Sequence, residues 1–403
     1  MHVVFRESHG LEDGSAPIDL GQAAADLVVL SYSDSDLAAF AAGWRGARGQ
    51  LPSLRLANLA ALRHPLSVDT YIERTLGGAR GILVRLIGGE SYWSYGLQAL
   101  SALARDKQIA LAVLPADGRD DATLAAYSNV SPETLATLKA LCDTAGAAAS
   151  QAALVALALA AGLEAEPMTG ETSVPPMGFY DPDVGIVHAL PSVNERACVF
   201  VTFYRSYVTS ADTGPIDALI AALRAEGFAA YGVFVSSLKA TEAAGWVTQQ
   251  VQAHRPEFIV NATAFSAKDR FGVTPFDQSG VPVFQVALST AARSDWEKSA
   301  RGLSPADLAM HIVLPEVDGR VFAGVMSFKS ASARDDDLQA SLFTHEADEE
   351  RTSAVVQRIC AWHRLSKTSN ADKRIALLAS SYPGRPHQLA HAVGLDSIAS
   401  CDQ

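Results

Sequence analysis

The chain has 403 residues, enough for two or three domains with sizeable cores, and its 49% apolar and 19% charged residues place it in the globular range. Its 32 Lys+Arg stand against 44 Asp+Glu, a net charge of -12, so it has no cationic footprint for a nucleic-acid backbone. The four cysteines, Cys142, Cys198, Cys360 and Cys401, form no C-x-x-C pair, which argues against a disulfide framework or a thiolate metal site and for a reducing cytoplasm.

The first residues carry Glu7 and no apolar core, so they do not read as a signal peptide. The longest apolar run, 152–163, falls short of the roughly 20 residues of a bilayer span, so no membrane span is expected. Seven short β-branched runs, 26–31, 81–87, 109–114, 197–203, 230–236, 258–261 and 281–286, read as buried parallel strands separated by alanine-rich segments of helical length. This alternation predicts an α/β fold: two Rossmann-like domains, over 1–165 and 183–330, each with a mainly parallel sheet flanked by helices. The proline-rich stretch 164–183 marks the boundary between them. Pro215, Asp217 and Gly227 give the start, dipole-matched first turn and end of one crossover helix.

Asp318-Gly319 predicts a hairpin near 311–328. Residues 331–370 read as an acidic linker around Asp335-Asp336-Asp337 followed by a helix from about 350 to 365. The run 374–382 reads as the first strand of a truncated further domain over 371–403, which would make the chain the amino-terminal part of a longer protein.

No P-loop, G-x-S-x-G, H-E-x-x-H or strand-to-helix G-x-G-x-x-G occurs, so the candidates are polar residues at the carboxyl ends of predicted strands, where open α/β sheets hold ligands. Arg85 ends an apolar strand and opens a loop in which Gly88 and Gly89 admit close backbone approach. In the same loop Tyr92, Trp93 and Tyr95 either offer flat faces to a large planar acid or cap the next helix against the sheet. Pro65 forces His64 out of helical geometry, with Ser67 a natural N-cap. Arg205 in Tyr204-Arg205-Ser206 and Asn261 at the head of 261–266 fall on one edge of the second sheet and line one cleft, near the helix start at Thr213, unless turn and cap chemistry alone explains them. Glu316 stands before the Asp-Gly turn, unneeded for it, where a carboxylate serves as a base or a hard-metal ligand. His387 and His391 have i,i+4 spacing but follow Pro386, a weak metal pair.

The segments LRLANLAALRHPLSVDTYIERT, VRLIGGESYWSYG, NATAFS, VPVFQVALSTAARSDWEKSARGLSPADLAMHIVLPEVDGR and YPGRPHQLAHAVGLDS together resemble the amino-terminal third of the large subunit of aerobic cobaltochelatases. That superfamily includes the porphyrin-binding subunit of magnesium chelatase, and the resemblance runs from Leu11 to about Ser397. It implies binding of the corrinoid hydrogenobyrinic acid a,c-diamide and insertion of cobalt(II), the substrate ion, in cobalamin biosynthesis. It also implies that ATP and magnesium are held by AAA+ ATPase and von Willebrand A-type partner subunits, in keeping with the missing P-loop. Glu316, in an LPE motif shared with the magnesium branch, becomes the catalytic carboxylate, and His64, Arg85, Tyr92, Trp93, Arg205 and Asn261 the substrate-binding set, with no metal ligands assigned. The family continues well past this point through an HGTLEW-like motif, and reads close to YPNRDGRLGNGVGLDTPAS where this chain has YPGRPHQLAHAVGLDSIAS. A truncated or frameshifted product, inactive by itself, is the expectation. The alternatives are the magnesium chelatase subunit and a non-catalytic tetrapyrrole- or anion-binding module.

Overall fold

The computed structural model describes residues 16–168, 172–191, 196–378, 390 and 396–402. Strands β1 (Leu27–Ser31), β2 (Leu54–Asn58), β3 (Gly81–Leu86) and β4 (Ala110–Pro115) form a parallel sheet in the order β2-β1-β3-β4. Helices Asp34–Gly46 and Ala147–Ala160 cover one face with Phe40 and Leu154, while helices Pro65–Arg74 and Ser94–Lys107 cover the other with Tyr71, Leu97 and Leu100. Burial on both faces is why these strands are continuously apolar rather than alternating.

The second sheet has eight strands: β5 (Met177–Asp181), β6 (Gly185–Val187), β7 (Cys198–Tyr204), β8 (Ala229–Val235), β9 (Phe258–Asn261), β10 (Val283–Leu288), β11 (Val321–Ala331) and β12 (Phe343–Ala347). Their order is β12-β11-β10-β9-β7-β8-β5-β6. The five central strands, β7 to β11, run parallel, and β5, β6 and β12 pair antiparallel at the edges. Both sheets share one winding, in which the second parallel strand lies on one side of the first and the third on the other. Each therefore has a topological switch point, between β1 and β3 and between β7 and β9.

All seven predicted strands are present, each displaced by no more than two residues. The Gly214–Ala225 helix has Pro215 in its first turn, Asp217 bonded to Thr213 and Tyr180, and Gly227 at φ +95 just past its end. The strands β2, β5, β6 and β12 were not foreseen, because five residues or fewer of mixed polarity give no clear period.

The expected hairpin near 311–328 does not form. Residues 305–317 are a helical crossover, Pro305–Leu308, a π-helical turn Ala309–Val313 and Leu314–Val317, closed by Gly319 at φ +77. β11 then pairs parallel to β10, which requires such a crossover and excludes a tight turn. Asp318-Gly319 is a helix stop, with the Asp318 carboxylate turned inward onto Arg320, Ser266 and the Ala267 amide.

Nor are residues 332–342 a solvated linker. They form a strap from the second sheet back to the first, where Leu338 and Leu342 enter the core beside Phe40. Asp335 pairs with Arg45, the Asp337 carbonyl accepts from Arg55, and Gln339 binds Gln22 and the Ala23 amide. The acidic run hid two leucines that are 0% and 9% exposed.

The chain divides after Val356 into two compact units, and both sheets belong to the first. The helix expected at about 350–365 is Glu349–Lys367. The second unit holds its last turns and the helix Ser397–Asp402. Residues 374–378 carry no strand pairing, and 379–382, His387 and His391 lie outside the described residues. Among the described residues no helix is long and apolar enough to cross a membrane.

Candidate functional site

The carboxyl edges of the two sheets face one another across a seam. Arg205, directly after β7, donates through Nη2 to the Thr144 carbonyl at the end of helix Pro132–Thr144 of the first sheet, at 3.2 Å, and to Val174 at 2.8 Å. Lys329 of β11 reaches Asp34, three residues past β1, at 3.4 Å. Both switch points open on this seam. At the second of them Tyr204 Oη donates to the Ala264 carbonyl at 2.7 Å, so the 204–206 and 261–266 segments do meet.

The first switch point is built by Tyr32 and Asp34 after β1 and by the 87–92 turn after β3. Gly88 has φ +88, and a Cβ there would stand 2.4 Å from the Tyr92 ring, so only glycine lets Tyr92 fold back over the turn. Tyr92 is 65% exposed, its carbonyl accepting from Tyr32 Oη at 3.0 Å. Leu66 and Tyr95 are also exposed nearby, Tyr95 bonded through its hydroxyl to Asp69. Arg63 stands beside Tyr32, its charge and hydrogen bond opposing the burial that raises the Tyr32 phenol pKa. His64, half-buried, is the N-cap of the next helix, its Nδ1 accepting from the Leu66 amide at 3.1 Å. Ser67, the expected cap, instead accepts from the Ile18 amide.

Three expected ligand contacts have other partners. Trp93 is 5% exposed, donates through Nε1 to the Leu62 carbonyl at 2.8 Å, and lies so close under Gly96 that a Cβ there would be 2.1 Å from its ring. It is a core residue and no stacking surface. Gly96→Ala is accordingly expected to lower stability by about 1–3 kcal/mol through overpacking, measured as a urea midpoint; an unshifted midpoint would show that the indole yields freely. Arg85 is buried under the switch point, with Asp36 at 2.8 Å and Asp143 at 3.7 Å. Burial pushes the Asp36 carboxyl pKa up while Arg85 pulls it down, the balance of an enclosed pair rather than a ligand grip. Asn261 is 0% exposed and bonds Thr263 and Gln285, whose Oε1 also receives Arg320.

Arg205 is half-buried among carbonyls and ties the lobes together. Glu316 is exposed at the other end of the second sheet, before β11 begins, among Val313, Leu314 and Val317, which are also exposed. The structure therefore places His64 and Tyr92 past the carboxyl end of the first sheet, sets Arg85 and Arg205 at the end of one helix, and keeps Glu316 apart. Sequence reasoning missed Arg63, adjacent to His64, and Lys329, whose position depends on how far β11 overshoots its sheet.

Two recesses, of about 450 and 380 Å3, lie at the amino ends of β9 to β11, away from the seam. Among the described residues no group of three or more His, Cys, Asp or Glu could hold a metal ion. Cys142 and Cys198 are pushed up to about 12 and about 11 by burial, which leaves them as unreactive thiols at neutral pH.

Two doubly wound lobes with facing switch points define a two-lobed α/β architecture suited to holding a ligand at the seam. The chain belongs to the CobN/magnesium chelatase family, whose model matches residues 144–403. It is 37% identical over 99% of its length to the aerobic cobaltochelatase subunit CobN of a Sinorhizobium species, of which it covers 32%. It is 24% identical over 52% of its length to a magnesium-chelatase subunit of Rhodobacter capsulatus, of which it covers 19%. Its fold matches a solved catalytic subunit of cobaltochelatase from Mycobacterium tuberculosis with a TM-score of 0.70 at 23% identity, over 94% of this chain and 30% of that one. The chain thus spans about a third of the length of the cobaltochelatase relatives it matches.

Proposed function

We propose that the chain supplies a corrinoid-docking face to a cobaltochelatase large subunit, which inserts cobalt(II) into hydrogenobyrinic acid a,c-diamide in the cytoplasm while partner subunits of the AAA+ and von Willebrand A types hydrolyse ATP with magnesium. The observation that carries this reading is the open face at the first switch point: an exposed Tyr92 ring beside exposed Leu66 and Tyr95, with Arg63 at its rim. A macrocycle fringed with carboxylates is served by an aromatic surface with a guanidinium at its rim. The higher identity to the cobalt branch than to the magnesium branch favours a corrinoid over a porphyrin.

On this reading Tyr92 stacks on the ring, Arg63 meets a peripheral carboxylate, and His64 borders the face. Cobalt(II) displaces the single inner N–H proton of the corrin, and Glu316, which the fold keeps apart from the Tyr92 face, is the carboxylate proposed to receive it once the ring has left that face for the Glu316 end of the subunit. Because the Tyr92 ring is mostly outside the core, Tyr92→Ala is expected to weaken corrinoid binding about three- to tenfold with the unfolding midpoint kept. Fluorescence titration of the chain with the free corrinoid checks this; unchanged affinity would remove Tyr92 from the docking face.

A further inference from the structure

We propose that Lys329 anchors a carboxylate of the bound ligand; this rests on the docking face proposed above and names the group by which the ligand is read. The pairing of β11 with β10 ends at Leu288 opposite Ser327, and the rest of β11 pairs with β12 as a two-stranded ribbon that enters the seam. On that ribbon Lys329 and His345 are directly opposed, so their side chains share a face, and Ser327, two residues earlier, shares it too. The Lys329 side chain is 12% exposed, yet among the described residues its ammonium meets a single acceptor, Asp34 Oδ2 at 3.4 Å. An ammonium has three donors, and a single acceptor leaves two of them for a further acceptor.

Two more polar atoms on this face have no hydrogen-bond partner among the described residues. Ser327 is 0% exposed with its Oγ unbonded. His345 is held by Asp212, through Nδ1 at 2.8 Å and its backbone amide at 2.9 Å, while its Nε2 is enclosed without a hydrogen bond. Protein interiors seldom leave such groups unpaired, and an ammonium beside a hydroxyl is the donor set an oxyanion takes. Asp34, 25% exposed and fixed by Asn58 Nδ2 at 2.7 Å, opens this end of the seam toward Tyr32 and Tyr92. An acid that lies on the Tyr92 face can extend a carboxylate past Asp34 to Lys329, and Asp34 then competes with it.

That competition gives the two partners opposite signs. The 403-residue chain and its Lys329→Met and Asp34→Asn variants are titrated with hydrogenobyrinic acid a,c-diamide and with a fully amidated corrinoid that has no carboxylate, and unfolded in urea. Lys329→Met is expected to weaken the acid about tenfold and leave the amide unchanged, whereas Asp34→Asn binds the acid equally or a fewfold tighter. If both variants weaken acid binding alike, the pair is only a tie between the lobes and the proposal fails. A wild-type chain that binds the acid while Lys329→Met binds it equally overturns the role of Lys329 and leaves the docking face standing. A wild-type chain that binds neither corrinoid overturns both.

Discussion

Glu316→Gln, carried in a subunit of the relatives' full length, is expected to slow cobalt insertion about a hundredfold or more and leave corrinoid affinity within about twofold, the range that removal of one general base spans. The reason is its place in the fold. Glu316 ends the crossover helix that runs down from the seam, so it lies before the amino end of β11, whereas the Tyr92 face lies past the carboxyl end of β3. No described residue pairs with its carboxylate, which is exposed beside the equally exposed Val313, Leu314 and Val317 and so is free to meet a ligand. Glutamine keeps the size and polarity but cannot take a proton. Affinity comes from a corrinoid titration and turnover from the rate of metallated product. Wild-type turnover would remove Glu316 from the chemistry. Equal loss of affinity would instead put it in the docking face.

How much of this was legible follows from the range over which each signal acts. The seven apolar strands were plain because burial on both faces of a parallel sheet writes itself into consecutive residues, as in β1 and β3. Strand ends were also legible, and so Tyr204 and Asn261 were expected on one edge, which the Tyr204 bond to Ala264 shows. What those side chains do at the edge depends on neighbours far along the chain. Arg85 ended its strand as expected, but Asp143, 58 residues on, arrives to enclose it, and Asp36 was an unremarked acid in a helix start. Trp93 and Tyr92 are adjacent in sequence and point to opposite environments, a choice made by Gly88 and Gly96 rather than by the aromatic run. The Asp-Gly pair at 318–319 misled because its turn chemistry serves a hairpin and a helix stop equally, and only the parallel partner β10 decides between them.

The same pair yields the largest expected loss of stability. Asp318→Ala is expected to cost about 3–5 kcal/mol, because it strands a buried guanidinium. Both side chains of the Asp318–Arg320 pair are 1% exposed at 2.8 Å, and burial pulls the Arg320 pKa down while Asp318 holds it up. Asp318 also accepts from Ser266 Oγ and the Ala267 amide, fixing the start of the connection between β9 and β10. Arg320 continues inward to Gln285 and, through it, to Asn261, so one carboxylate anchors polar groups on three neighbouring elements. Adding Arg320→Met to Asp318→Ala removes the stranded charge and fills its place with apolar atoms, which is expected to restore part of the loss; buried pairs replaced on both sides are often nearly neutral. Urea unfolding of the two single variants and the double variant measures the cycle. Strictly additive losses would mean that the two charges do not depend on each other. A double variant more stable than Asp318→Ala alone would show that the pair holds the Glu316 end of the crossover by mutual compensation and not by either charge alone.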